Sequence, residues 1–347
     1  MNEAVRKVLT WHEIGVRLIR PGVAVLLAAT ALATWAQRGG THVPAPGSGL
    51  SYPARPIRLI VPLAAGGGVD TSARAIGQKL TEAWGQQVVI ENRPGAGGTI
   101  ATEMVARAAP DGYTLLMASS GHAITPSLYK LSYDAIRDFA PIAVVVLAPN
   151  VLVVHPSLPV RSVKELIALA KARPNELLWS SSGNGSPQHF ALELLKIMTG
   201  VRIVHVPYKG TAPGMTDLIA GRVSVTSASI VSTMPHVNAG RLRALAVASG
   251  RRSQVAPQLP TVAESGVPGY EIDVWHATMA PAATPKEIVA RLYEEIARIL
   301  AQPDVRERLL AMGLEPVGNS PDQFAAYLRA EVAKWAKVVR EADIRIN

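Results

Sequence analysis

The chain has 347 residues, 48% of them hydrophobic and 18% charged, with a formal net charge of +9 and no cysteine. This balance excludes a disordered or fibrous chain, and the missing thiols exclude disulfides, thiolate metal sites, cysteine nucleophiles and a lipoprotein anchor. Two domains of about 150 residues each fit the length. The basic excess is scattered rather than gathered into the clusters that nucleic acid or an anionic lipid face requires, so it reads as solubility charge with a mild pull on small anions.

At the N-terminus, Arg6, Lys7, Arg17 and Arg20 precede an uncharged run from Val23 to Ala36 that ends in small residues, the pattern of an export signal. The run falls short of the roughly 20 residues that a membrane-spanning helix needs. Cleavage is expected near Ala36, with Ala33 an equally legal cut; a buried helix or a retained anchor is the alternative. Residues 1–36 therefore read as a signal peptide and 37–51 as a Pro/Gly-rich linker.

From Pro56 onward, short β-branched runs alternate with amphipathic segments, which predicts an α/β chain with parallel sheets covered on both faces. Ile57 to Val61 reads as the first strand. Val69, Ala73, Ile76, Leu80 and Trp84 then recur at helical spacing. Gln87 to Glu91 is a strand, Gly98 to Ala108 a helix, and Tyr113 to Ala118 a strand after the turn at Pro110-Asp111-Gly112. A long apolar stretch from Ile142 to Val154 opens a second series, whose first helix starts at Ser162 with Glu165 placed for a capping box. Strands are expected at 177–181, 202–206, 223–227 and 242–248, with helices at 187–198 and 211–220. Three further helices begin at Thr284-Pro285-Lys286-Glu287, at Pro303 and at Ser320-Pro321-Asp322-Gln323. The order fits two β/α lobes joined by crossing strands: residues 52–146 with 246–347, and residues 147–245.

Two glycine-rich corners stand between a strand and a helix. The first is Pro62-Leu63-Ala64-Ala65-Gly66-Gly67-Gly68-Val69-Asp70; the second is Ser180-Ser181-Ser182-Gly183-Asn184-Gly185-Ser186-Pro187-Gln188-His189. At such corners free peptide N–H groups and the positive end of a helix face the crevice at the strand ends, and glycine lets a ligand approach the backbone. Neither corner carries Lys or Arg, so an anion would be held by peptide N–H groups and by hydroxyls such as Thr71, Ser72, Ser182 and Ser186. Four or five hydrogen bonds to a charged group, at ~1.5–3 kcal/mol each, reach the ~8 kcal/mol of micromolar binding. A pair of tight structural turns is the plainer reading of the same glycines.

Other chemistries fit less well. Asn92-Arg93-Pro94-Gly95-Ala96-Gly97-Gly98 has Ile100 where the dinucleotide fingerprint needs its third glycine, and no P-loop occurs, so this corner reads as a structural turn and no cofactor is expected. Ser186 with His189, and the cluster Ser119-Ser120-Gly121-His122, suggest a hydrolase. Neither has the G-x-S-x-G elbow, and Ser186 is better explained as a helix cap. The eight histidines show no ligand pair at i, i+4, so no metal site is expected.

The blocks Tyr52-Pro53, Pro56-Ile57-Arg58-Leu59-Ile60-Val61-Pro62, Gly66-Gly67-Gly68-Val69-Asp70, Glu91-Asn92-Arg93-Pro94-Gly95-Ala96-Gly97-Gly98 and Ala109-Pro110-Asp111-Gly112-Tyr113 closely resemble those of the tripartite tricarboxylate transporter receptors, the Bug family. Ser181-Ser182-Gly183-Asn184-Gly185-Ser186, Val206-Pro207-Tyr208-Lys209-Gly210, Leu259-Pro260-Thr261-Val262-Ala263-Glu264 and Lys334-Trp335-Ala336-Lys337-Val338-Val339 are similar to its later blocks, in the same order. The resemblance implies a type II periplasmic-binding-protein fold: a monomer in the periplasm whose two lobes close on a small organic carboxylate and present it to membrane permease subunits. It implies no catalysis and no nucleic acid; a sensor kinase could take the permease's place. The ligand-contacting residues it implies are Leu63, Ala64, Ala65, Gly66, Gly67, Gly68, Val69, Asp70 and Thr71 in the first corner, with Ser120. From the second lobe it implies Ser182, Gly183, Asn184, Gly185, Ser186, His189, Tyr208, Lys209, Gly210, Ser227 and Ala228, and further along the chain Trp275.

Three departures from the family pattern bear on the ligand. Leu63-Ala64-Ala65 replaces an aromatic and two prolines, which predicts a looser loop. Ala228 stands about where many relatives carry an acid, so the far end of the ligand is expected to lack an ammonium group. His276 replaces a phenylalanine after Trp275, and either meets a polar ligand group or occupies a surface position.

Overall fold

The computed structural model describes residues 52–344. The signal peptide and linker expected over 1–51 lie outside the described residues. Two mixed sheets organise the chain. The first contains β1 (Ile57–Val61), β2 (Val88–Asn92), β3 (Thr114–Ser119), β4 (Phe139–Leu147), β10 (Trp275–Pro281) and β11 (Glu315–Pro316), in the order β11-β4-β10-β3-β1-β2. The second contains β5 (Asn150–Val154), β6 (Leu178–Ser181), β7 (Val204–Pro207), β8 (Val225–Ser229) and β9 (Arg243–Val247), in the order β7-β6-β8-β5-β9.

Each sheet receives one strand directly from the other, and that strand runs against its neighbours. β5 arrives from β4 and pairs antiparallel with both β8 and β9, while β10 arrives after β9 and pairs antiparallel with both β3 and β4. The expectation of purely parallel sheets is thereby corrected. Every residue of these two strands is buried. Strands covered on both faces lose the polar alternation that marks a half-exposed strand, which is why β10 escapes a reading of the sequence. The apolar stretch 142–154 also divides. Its first part completes β4 in the first sheet, and the chain passes through Ala148-Pro149 before β5 begins in the second.

Helices cover both sheets: α1 (Gly68–Trp84), α2 (Thr99–Ala106), the single turn α3 (Gly121–Ile124), α4 (Val163–Ala172), α5 (Pro187–Thr199), α6 (Thr211–Ile219), α7 (Ile230–Asn238), α8 (Lys286–Leu300), α9 (Pro303–Ala311) and α10 (Pro321–Glu341). The capping predictions separate on inspection. At α10 the box is complete, with Ser320 Oγ accepting from Gln323 N and Gln323 Oε1 accepting from Ser320 N. At α4 only half forms, because Glu165 Oε2 accepts from Arg161 N instead of the N-cap amide. At α8 Thr284 does not cap at all; its Oγ1 is buried without a partner.

With no disulfide, the core carries the fold, each fully buried Val, Leu or Ile contributing about 1.5–3 kcal/mol. Trp179, Trp275 and Trp335 are among its largest members. One hydrophobic cluster runs through both lobes, for α10 at the chain's end packs on α5 of the second lobe: Trp335 meets Phe190 edge-on at 5.2 Å, and Tyr270 Oη donates to Ala191 O.

The core also holds neutral histidines, and this sets an acid limit on stability. His122 donates from Nε2 to Ala135 O at 2.8 Å, while its Nδ1 is buried with no partner, so the proton of an imidazolium would be stranded there. Burial pulls the pKa of both His122 and His276 down to about 4. The unfolded chain, with histidines near 6.5, binds more protons between these values, so stability is lost as pH falls from about 6.5 towards 4. Up to ~3 kcal/mol per histidine is at stake. Urea titrations at pH 7 and pH 4.5 should show this fall, and His122→Asn should flatten it; equal slopes in both proteins would refute the assignment.

Candidate functional site

Between the lobes lies a cavity of about 780 Å³, within the usual range for small-molecule sites. The first lobe lines it with Leu63, Gly68, Val69, Thr71, Gly97, Ser119, Ser120, Gly121, Val274, His276 and the segment Ala311–Leu314, next to Ala148 in the passage from β4 to β5. The second lobe contributes Asn150, Gly185, Pro187, Ser229 and Val231. None of these residues is charged.

The first glycine corner opens onto this space. Gly67 is the N-cap of α1 and has no side chain to cap with, so no side chain satisfies the first-turn N–H groups over Gly68 to Asp70. Asp70 is turned away from the cavity. Its Oδ2 accepts from Gly66 N at 2.9 Å and from Arg74 Nε at 2.9 Å, and the Arg74 guanidinium holds its carboxyl below the usual carboxylate range. The acid thus shapes the loop 63–67. Asp70→Ala frees both donors and is expected to destabilise the protein by about 1–3 kcal/mol in urea titration; an unchanged midpoint would show that the loop holds without it.

The second corner is satisfied in part from within. Gly183 N donates to Ser181 Oγ, Gly185 N to His189 Nδ1, Ser186 N to Gly183 O, and His189 N to Ser186 Oγ. Ser182 Oγ donates to Gln188 Oε1. Of this corner's implied ligand contacts only Gly185 lines the cavity. The third corner, read as a structural turn, does reach it through Gly97.

Of the other residues singled out from the sequence, Leu63, Gly68, Val69, Thr71 and Ser120 line the cavity. Ala64, Ala65, Gly66 and Gly67 form the loop behind them. Gly183, Asn184, Lys209 and Gly210 lie off the cavity, Gly210 N donating to Ser182 O. Tyr208 Oη donates to Asp217 Oδ2 at 2.7 Å. His189 stacks flat on His205 with ring centres 4.0 Å apart. Ser227 and Ala228 are buried in β8, and Trp275 is buried in the core with its ring edge-on to Phe324.

The sequence missed most of the second lobe's lining. Asn150 and Ser229 sit opposite each other on β5 and β8, and neither side chain is hydrogen-bonded among the described residues. His276 is buried rather than on the surface, at a register shift in the β4–β10 ladder that can re-aim a side chain. The Ser186/His189 hydrolase arrangement is not built, since Ser186 Oγ caps His189 N. Among the described residues three other serine–histidine pairs exist: Ser157 with His155 is exposed and away from the cavity, and in Ser72 with His276 and Ser181 with His205 each hydroxyl is within reach of a backbone carbonyl as well.

Two α/β lobes, an exchanged antiparallel strand in each sheet and an uncharged cleft between them, mostly apolar with a few polar groups, define a two-lobed solute receptor of the type II binding-protein class. A family profile described as "Tripartite tricarboxylate transporter family receptor" matches residues 72–344. The chain is 39% identical to Protein BugT of Bordetella pertussis over 308 residues, covering 88% of this chain and 94% of that one. Among solved structures, R. palustris Rpa4515 with adipate superposes with a TM-score of 0.73 at 42% identity, covering 85% of this chain and 99% of that one. MatC of Rhodopseudomonas palustris with bound malate superposes with a TM-score of 0.69 at 34% identity, covering 83% and 100%. The chain belongs to the tripartite tricarboxylate transporter receptor family, which includes the Bug proteins.

Proposed function

We propose that this chain is a periplasmic, monomeric receptor that captures a small organic carboxylate and presents it to membrane permease subunits of a tripartite tricarboxylate-type transporter, without altering it. The observation that carries the reading is the uncapped amide end of α1, opening onto a cleft that both lobes line and no charged side chain enters. A carboxylate needs hydrogen-bond donors that persist in a water-poor site, and peptide N–H groups at a helix start supply them together with the helix dipole. Thr71, Ser120, Asn150 and Ser229 complete the polar lining. Adipate and malate in two solved relatives support the ligand class.

Closure of lobe 1 (residues 52–146 and 246–347) on lobe 2 (residues 147–245) would follow from a ligand that touches both and so binds the closed state better. Among the described residues no helix is long and apolar enough to cross a membrane.

Calorimetry against mono-, di- and tricarboxylates tests the proposal. Micromolar binding of at least one acid, unchanged after long incubation, is expected. Turnover of a bound acid, or the absence of any binding across the set, would overturn it.

A further inference from the structure

His276 carries a hydrogen-bond network that fixes which of its nitrogens holds the proton. Ser72 Oγ lies 2.9 Å from Gly68 O and 2.8 Å from His276 Nδ1. A hydroxyl has one proton and can donate it once. If Ser72 gave it to the imidazole, two oxygen atoms would face each other at 2.9 Å with no hydrogen between them. If Ser72 gives it to Gly68 O, the serine oxygen accepts from Nδ1–H and every atom is satisfied. The second arrangement leaves Nε2 as a bare acceptor.

Nε2 has no partner among the described residues, and His276 lines the cleft. It also stands close to the amide end of α1: a Cβ built on Gly68 would lie 3.3 Å from His276 Cε1 and 3.8 Å from Nε2. A carboxylate held at that helix start would present its oxygens to a lone pair, which is unfavourable unless a proton donor stands between them; a bridging water can supply one, and a donor on the ligand one or two bonds away supplies it without immobilising a water.

We propose that His276, set by Ser72, is a specificity residue that reads a hydroxyl beside the captured carboxylate, so that the receptor selects 2-hydroxy acids over their deoxy counterparts. The inference rests on the carboxylate-receptor reading. An ammonium in the same place would donate equally well, but no residue lining the cleft carries the negative charge needed to offset its burial. A site built to pair with a donor rejects the analogue lacking it because the acceptor, cut off from water when the ligand fills the cleft, is left unmatched.

The test uses matched pairs on the full mature protein: succinate and malate, glutarate and 2-hydroxyglutarate, adipate and 2-hydroxyadipate. At least one hydroxy acid should bind tenfold or more tighter than its deoxy partner, and His276→Phe should reduce that ratio to near one while the deoxy acid binds at least as well as before. Ser72→Ala, which releases the tautomer, should shrink the ratio without abolishing binding. Nitrogen NMR of the imidazole gives a readout independent of folding in the variants. The ligand-free protein should show the Nδ1–H form, and only a hydroxy acid should shift Nε2. Equal binding within every pair, or an Nε2–H tautomer, overturns the inference and leaves the receptor reading standing. Failure of every acid to bind defeats both.

Discussion

Gly68→Val is expected to abolish carboxylate binding while leaving the protein folded. Gly68 is the first residue of α1, lies at the surface of the cleft and has an ordinary backbone conformation, so a β-branched residue can occupy it without backbone strain once the His276 ring yields by a few tenths of an ångström. The added Cβ would stand 3.3 Å from His276 Cε1, and the two methyl groups beyond it would fill the space in front of the first-turn N–H groups. An anion displaced from two such donors forfeits about 3–6 kcal/mol, or a hundredfold or more in affinity. Calorimetry should then detect no binding of any acid that the wild type holds at micromolar strength, while the thermal midpoint of the free protein stays within a few degrees. Retained affinity would place the carboxylate elsewhere in the cleft.

The local grammar of the chain gave away much of its architecture. Ile57 to Val61 keeps only Arg58 exposed, and the apolar stripe from Val69 to Leu80 predicted the buried face of α1. The start of α5 was legible because Ser186 and Pro187 suit the N-cap and first turn and the structure uses them so. What local pattern could not give was the exchange of strands. β4 and β5 form one apolar run in the sequence, and only their pairing partners assign them to different sheets. α7 was missed as well, since Pro235 lies inside it and its capping residue Ser229 makes no side-chain cap bond.

The same limit governed the site. Glycine corners announce a possible approach to the backbone, but not whether their N–H groups are free. In the second corner Ser181, Ser186 and His189 take some of those donors, and this depends on side-chain rotamers and on the depth of the strand end. Tyr208 sits in a block that resembles a family motif and bonds Asp217, while Trp275 packs against Phe324, and neither lines the cavity. Val231 and Gly313 are brought to the cleft by the way separate segments of the two lobes converge, and nothing in the sequence near them speaks of a ligand; Gly97 lies in a glycine corner that reads as a plain turn.

Gly313 marks where the two lobes meet at the cleft mouth, and from this comes the second large effect. It lies between α9 and β11 in the first lobe, and a Cβ built on it would stand 2.0 Å from Val231 Cγ2 and 3.3 Å from Ile230 Cγ2, both on α7 of the second lobe. No side-chain adjustment on the glycine's side can relieve such an overlap, so Gly313→Ala should force the lobes apart or drive Val231 out of its place. Because a ligand that bridges the lobes draws its affinity from the approach of both, the variant should bind at least tenfold more weakly, and scattering at saturating ligand should show a larger radius of gyration than the wild type. Part of the penalty could come from the backbone, since Gly313 has φ +67° and alanine there is strained by about 1 kcal/mol. Gly240→Ala isolates that part: its φ is +69° and nothing lies within 4 Å of its built Cβ. It should lower stability while leaving affinity unchanged. Val231→Ala placed on the Gly313→Ala background removes the opposing methyl groups and should restore most of the lost binding. If the double variant binds no better than Gly313→Ala alone, the contact does not limit closure and the defect belongs to the turn itself.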